Sequence, residues 1–346
     1  MFLNSLASAV PPTFFTQAEC WHLAGTIGLS DLLRSRSMQL LDRVLTGDSG
    51  IHKRHFGVQP IEGIFSRDAE QLNRDFEALA PALGHEALSK ALALAEMAGS
   101  DLDALFICTC TGYLCPGISS YLAESLGLRP DAYLQDLVGL GCGAAIPALR
   151  SAANFLAAHP EATVAVLPIE ICSSAFFVND DPGVLISLCL FGDGASASIW
   201  QGAGHGGSGK LAAGGFDTVH RPEHREKIRF VNDQGKLKNK LHRSVPQLAG
   251  EAVGHLFARR AEASKTPTVI SHGGGRDVIE ELDRIFDGTQ ALVATREILH
   301  DYGNMSSPSV MFALERHLEH SPEADDLWLT SFGAGFACHS VSLKRG

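Results

Sequence analysis

The stretch Asp136–Leu156, DLVGLGCGAAIPALRSAANFL, joins an apolar strand to a helix through a run of glycines with one cysteine, Cys142, at its centre. Gly139, Gly141 and Gly143 permit a tight strand-to-helix turn and a close approach of bulky substrate. Ile146, Leu149, Ala153 and Leu156 then recur at helical spacing and supply an apolar face. A thiol at that junction meets the positive end of a helix dipole, which favours thiolate over thiol and makes a nucleophile. A buried small hydrophobe beside a glycine turn fits the same residue, and an isolated cysteine does not choose between the two.

Outward from this stretch the strand, loop and helix pattern repeats. Leu102–Thr109 reads as a short apolar strand, CTGYLCPG (110–117) as a loop and the residues through Leu126 as a helix. VAVLPIEIC makes a third strand ending near Cys172, and LISLCLFGDGASASIW a fourth that runs to Trp200 through a glycine turn. Upstream, residues 14–45 and 66–98 carry helical spacing of Leu, Ala and Ile, the second broken at Pro81 and Gly84, with the basic segment IHKRHF between them. Such alternation implies an α/β chain with a mixed or parallel sheet flanked by helices.

GAGHGGSG (202–209) is too glycine-rich to pack and reads as a linker, dividing the chain into 1–201, which carries the cysteine, and 202–346. FGDGASASI (191–199) and FGAGFACHS (332–340) each place a Phe-Gly-x-Gly turn between apolar strands, which suggests a duplicated α/β domain. In the second half KIRFV (227–231) and KLKNKL (236–241) form a hairpin, and Arg221–Arg243 holds eight Lys or Arg against three acids. That excess is either a solvated face or a landing surface for the phosphates of a CoA thioester or an acidic carrier. TVIS, the turn HGGG (272–275) and the helix DVIEELDRIF follow. In HDYGNMSSPS (300–309), Ser306 or Ser307 is placed to cap the next helix, with Pro308 in its first turn.

Composition narrows the class. With 346 residues, 45% of them hydrophobic, the chain has material for a large core. A net charge of -11 argues against general nucleic-acid binding. Eight cysteines in a chain this long are not a disulfide framework, so reduced thiols and a cytoplasmic setting are expected. The start, MFLNSLASAVPPTFF, lacks a basic leader, and no apolar run reaches the roughly 18 residues of a membrane span. Cys108, Cys110 and Cys115 lack zinc-site spacing, and no metal is expected.

Three polar groups stand at strand ends or helix starts: Cys142, His272 in SHGGG and Asn304 in YGNMSS. A sulfur nucleophile, an imidazole and an amide are what thioester exchange requires, since the imidazole can take the thiol proton and both nitrogen groups can stabilise an oxyanion or enolate. His272 also fits a turn or core histidine, and Asn304 a residue that opens a helix. Spacing along the chain does not show that they converge.

GLGCGAA, CTGYLCPG, FGDGASAS, SHGGG, YGNMSSPS and SFGAGFA stand in the order and approximate spacing of the type III polyketide synthases. The chain resembles that chalcone and stilbene synthase-like branch of the thiolase fold strongly over 100–346 and weakly before. The resemblance implies a five-layered αβαβα core built from two similar halves, a homodimer, and no metal or redox cofactor. It further implies loading of an acyl group from acyl-CoA onto Cys142, then decarboxylation of malonyl-CoA and attack of its carbanion on the acyl thioester. His272 would keep Cys142 ionised and, with Asn304, bond the malonyl thioester carbonyl.

By the same resemblance Phe191 stands at an aromatic gate, and Cys110, Cys172 and Ala175 line the cavity. Cys115 reaches the partner's cavity, and Gly273 and Ser306 join the substrate-binding set. Gly273 replaces a usual proline, and Asn239 replaces a second phenylalanine gate. Arg43, Lys53 and Arg54 are the candidates for CoA phosphates, and delivery by acyl-carrier protein stays open. A ketoacyl synthase that performs one condensation, or a silent acyl-binding scaffold, are the rival readings.

Overall fold

The computed structural model describes residues 1–261, 267–286 and 292–346. The first half runs β1 (Phe2–Ala9), β2 (Phe14–Thr16), α1 (Gln17–Thr26), α2 (Leu29–Leu32), α3 (Ser35–Thr46) and β3 (Lys53–His55). It continues through α4 (Ala69–Leu94), β4 (Ala104–Thr109), α5 (Ile118–Leu126), β5 (Tyr133–Val138), α6 (Ala145–Ala158), β6 (Thr163–Glu170), α7 (Pro182–Leu190) and β7 (Gly194–Gln201). The second half runs β8 (Leu211–His220), β9 (Ile228–Asp233), β10 (Lys236–Leu241), α8 (Val245–Arg259), β11 (Thr268–Ser271), α9 (Arg276–Ile285), α10 (Val293–Tyr302), α11 (Ser309–His320), β12 (Asp326–Gly333) and β13 (Ala337–Arg345).

The large sheet has the order β11-β12-β13-β8-β1-β7-β6-β4-β5. Its two arms repeat one plan. In one, parallel β4 and β6 are followed by antiparallel β7 and β1; in the other, parallel β11 and β12 are followed by antiparallel β13 and β8. The seam between the arms is a single register pair, Phe2 with Ala212.

Side-chain alternation along the strands then sets the layers. In β4, Ala104, Phe106 and Cys108 face a core shared with α6 and α11, while Leu105 and Ile107 face α4 and α5. In β12, Leu327 and Leu329 face that same shared core, while Trp328 faces α8 and α9. Helices α6 and α11 therefore lie between the arms, with α4 and α5 outside one and α8 and α9 outside the other. This is the expected αβαβα arrangement of two similar halves.

Several local expectations fail for identifiable reasons. Helix α4 runs unbroken through Pro81 and Gly84, because Asp68 and Gln71 form a capping box and its inner face, including Ala80, Leu83 and Leu88, is buried. LISLCL belongs to helix α7, not to a strand, and Phe191 follows it. Its continuous apolar run is buried on several sides, where hydrophobicity alone cannot separate the two states. The FGDG turn thus joins a helix to a strand, whereas FGAG does join β12 to β13. Residues 14–16 pair with β3 before the first helix begins. The basic hairpin forms as β9 and β10 with Lys236 opposite Asp233.

Candidate active site

Cys142 sits in a short 3-10 turn, Gly141–Gly143, immediately before α6. Gly141 has φ +59, and a side chain there would stand 3.0 Å from the backbone nitrogen of Ala334, so the FGAG turn of the other half closes directly over the cysteine turn. Ser331 Oγ reinforces the junction by donating to Gly143 O at 3.0 Å. Cys142 is 7% exposed and packs with Cys172 and Phe191.

Asn304 is brought to this point by a backbone bridge to Phe191, with Asn304 N donating to Leu190 O at 2.8 Å and Gly192 N to Asn304 O at 3.0 Å. Its side-chain Nδ2 donates to Gly274 O at 2.8 Å, two residues after His272, and its Oδ1 accepts from Ser306 N at 2.7 Å. Ser306 Oγ in turn donates to Cys142 Sγ at 3.2 Å. His272, at the end of β11, lies 5.1 Å from Phe332 between ring centroids, and its Nδ1 is buried without a partner among the described residues. Packing holds the ring, and Nε2 is the nitrogen left for chemistry.

Ser306 has φ +60, a backbone state that a non-glycine residue adopts at a cost of about 1–3 kcal/mol. That conformation sends its N–H to Asn304 and its hydroxyl to Cys142 together. Ser306 and Ser307 therefore do not cap α11: both hydroxyls reach Glu170 Oε1, at 3.3 and 2.8 Å, and Pro308 stands at the cap position.

Glu170, which motif reading passed over, is the polar hub behind the cysteine. It is fully buried and accepts from Cys110 N at 2.9 Å, Thr111 N at 3.1 Å, Thr111 Oγ1 at 2.8 Å and Cys110 Sγ at 3.2 Å. Burial raises its carboxyl above the ordinary value, against the opposing pull of those donors. A signal existed in the sequence, since it is the one charged side chain in VAVLPIEIC.

The same loss of water acts on Cys142 and His272. Burial pushes the Cys142 thiol up to about 12, opposed by the Ser306 hydroxyl and assisted by the Glu170 charge. It pushes the His272 imidazole down to about 4. Each penalty attaches to an isolated charge. Moving one proton from sulfur to ring would create two opposite charges that offset each other's desolvation.

The remaining predicted residues separate into groups. Phe191, Cys172 and Ala175 line one narrow cavity beside Cys142, and Cys110 lies 3.4 Å from Ser306 Oγ. Gly273 faces away, since a side chain there would meet Thr295 and Ile279. Cys115 is exposed on the 110–117 loop, and Asn239 lies in the wall of the narrow cavity. Arg54 is not a CoA contact: it is 2% exposed, with Nη1 donating to Leu188 O and Phe191 O and Nε to Gln17 Oε1. Its guanidinium is spent on holding α7. Lys53 is half-buried 4.7 Å over the Phe14 ring, and Arg43 is exposed at the end of α3. A larger cavity of about 560 Å³ runs from Cys110 and Gly141 to Arg229 and Lys236 of the basic hairpin.

The profile described as FAE1/Type III polyketide synthase-like protein matches residues 13–206, and that of the chalcone and stilbene synthases, C-terminal domain, matches 222–344. The chain belongs to the type III polyketide synthase family. Among relatives of this family, a 3,5-dihydroxyphenylacetyl-CoA synthase of Streptomyces toyocaensis is 31% identical over 91% of this chain and 82% of its own. A 1,3,6,8-tetrahydroxynaphthalene synthase of Streptomyces griseus is 28% identical over 95% of this chain and 88% of its own. In fold, PKS-I from the brown alga Ectocarpus siliculosus superposes with a TM-score of 0.91 at 22% identity, covering 100% of this chain and 98% of that one. As a type III polyketide synthase the protein is a condensing acyltransferase of the thiolase fold. Among the described residues, no helix is long and apolar enough to cross a membrane and no group of side chains is arranged to hold a metal ion.

Proposed function

We propose that Cys142 carries the acyl chain, and that His272 and Asn304 work on both halves of the condensation. The observation that carries this reading is the continuous path Cys142 Sγ, Ser306, Asn304 and Gly274, which ties the cysteine to the amide and to the backbone two residues beyond the imidazole. In loading, the thiol proton passes to His272 Nε2 as sulfur attacks the acyl-CoA carbonyl, and CoA leaves as a thiolate that takes its proton from water, so the ring keeps its Nε2–H. Malonyl-CoA then binds with its thioester oxygen facing His272 Nε2 and the second hydrogen of Asn304 Nδ2. Loss of CO₂ leaves an enolate held by those donors, whose carbon attacks the acyl thioester and returns Cys142 Sγ as leaving group. Repetition gives a short polyketide that closes to a pyrone, resorcinol or related ring. The curated relatives bear the names of synthases of aromatic polyketides, which supports iteration over a single condensation.

The chemistry needs no metal or redox cofactor, and the substrates are acyl-CoA and malonyl-CoA. Arg43 and Lys53, with the basic hairpin, are the groups available to CoA phosphates or to an acidic carrier. The division into halves lies at 201/202, supported by the end of β7 at Gln201. The protein works in the cytoplasm as a homodimer whose second copy covers the edge strand β5. Tyr133, Leu134 and Val138 are exposed there and Tyr113 beside it, an apolar edge of the kind that pairs with another chain. Cys115 on the neighbouring loop then reaches the partner.

A panel of acyl-CoA starters with labelled malonyl-CoA, read by product mass, tests the reading. Products with two or more extensions support it, and a single β-ketoacyl product would replace it with a ketoacyl synthase. Cys142→Ala is expected to abolish the acyl adduct seen by intact mass. Asn304→Ala is expected to lose release of labelled CO₂ while Cys142 is still acylated, and undiminished CO₂ release would remove Asn304 from the proposed role.

A further inference from the structure

The narrow cavity beside Cys142 is walled by Phe176, Phe177, Phe191, Phe230 and Leu188, and the polar side chains that interrupt that wall are the hydroxyls of Thr111 and Ser187 and one amide, Asn239. Asn239 is 9% exposed and lies on β10 opposite Phe230. Its Nδ2 donates to Ser187 Oγ at 2.8 Å, and Ser187 Oγ donates to Gly183 O at 2.7 Å. A serine hydroxyl has a single hydrogen, which the Gly183 carbonyl takes, so the amide group facing Ser187 must be the donor. The network fixes which end of the amide is oxygen. Asn239 Oδ1 is left with no hydrogen-bond partner among the described residues.

The amide is also rigidly carried. A side chain on Gly183 would stand 2.5 Å from Leu241 O, so α7 and β10 touch backbone to backbone one turn from Ser187. Phe191, at the end of the same helix, packs on Cys142 and Cys172. The space is about 20 Å³, room for one water-sized group and not for a ring. An oriented acceptor in an apolar wall, with space for one small polar atom, is a recognition point for a hydroxyl at the tip of a chain.

We infer that Asn239 Oδ1, held by Ser187, selects starter acyl groups that end in a hydroxyl, which donates to it while the thioester is attached to Cys142. The inference rests on the polyketide synthase reading above and narrows its starter class. A starter ending in methyl leaves the amide oxygen unpaired or strands a water there, so a site of this kind discriminates through the missing partner.

The test is a ratio of acylation rates at Cys142, read by intact mass. Hexanoyl-CoA is paired with 6-hydroxyhexanoyl-CoA, and butanoyl-CoA with 4-hydroxybutanoyl-CoA, in the parent, Asn239→Leu and Ser187→Ala. In the parent, kcat/KM is expected to favour the hydroxylated member of at least one pair by about tenfold. The preference is expected to vanish in Asn239→Leu and to shrink in Ser187→Ala. The ratio within each protein cancels any difference in folded fraction. Acylation with the same ratio in all three proteins would overturn the inference and leave the polyketide synthase reading standing. Failure of every one of these starters to acylate the parent would overturn the inference, and the polyketide synthase reading then stands or falls on the products of the wider starter panel.

Discussion

Two carboxylates, Glu170 and Asp193, are fully buried within two residues of Cys172 and Phe191, which pack on Cys142, and they do different work. Asp193 accepts from Gly57 N at 2.6 Å, Ser173 N at 2.8 Å and Ser173 Oγ at 2.6 Å, all groups that only hold chain to chain. Glu170 is bonded as densely, but the Ser306 hydroxyl stands 3.3 Å from it and 3.2 Å from Cys142 Sγ, so its single hydrogen is shared between the two. Burial, charge and donor supply are alike. What separates a fastening carboxylate from one coupled to Cys142 is a single shared hydroxyl.

The largest effect expected from this contrast is on stability. Asp193→Ala strands three donors in the core and is expected to cost about 3 kcal/mol or more, read as a lower urea midpoint. A change below about 1 kcal/mol would mean those donors find other partners.

Asp193 is held up to about 6, from an ordinary value of 3.8, chiefly by burial. The folded protein therefore binds this proton more tightly than the unfolded chain. Its contribution to stability is full below 3.8 and is lost as the pH rises through about 6. Relative to Asp193→Asn, the parent should lose about 2–3 kcal/mol over that window and nothing further above it, as followed by urea unfolding at stepped pH. Parallel curves would show that the carboxyl is ionised throughout.

Smaller effects separate the two sites by chemistry. The Ser306 hydroxyl favours the thiolate, so Ser306→Ala is expected to slow alkylation of Cys142 by iodoacetamide about tenfold. The Glu170 charge opposes the thiolate, so Glu170→Gln is expected to speed the same reaction about threefold. Asp193→Asn has no route to the sulfur and is expected to leave the rate of its folded fraction unchanged. Equal responses of Glu170→Gln and Asp193→Asn would erase the distinction.

Cys142, His272 and Asn304 stand out in the sequence because each sits in or beside a local glycine-containing turn that its own neighbours encode. Sequence patterning did not reveal Glu170, Ser187 or the partners of Ser306, since those side chains matter through residues 52 to 164 positions away. Helix α7 was misread as strand because an uninterrupted apolar run is compatible with both. Arg54 reads as a candidate for CoA phosphates because a lone arginine in a basic segment carries no mark of burial. Its partners, Leu188 O and Phe191 O, lie far along the chain.

By itself, then, the order of residues determined most of the strand and helix units, the repeat of the two halves and the identity of the groups able to do chemistry. Each of these is written in short-range periodicity and turn chemistry. Tertiary structure alone decided that Cys142 meets Ser306, that Ser306 ties it to Asn304, that a buried carboxylate stands behind them, and that Asn239 lies in the cavity wall. Those facts depend on distances between chain segments brought together by packing, which no local pattern records.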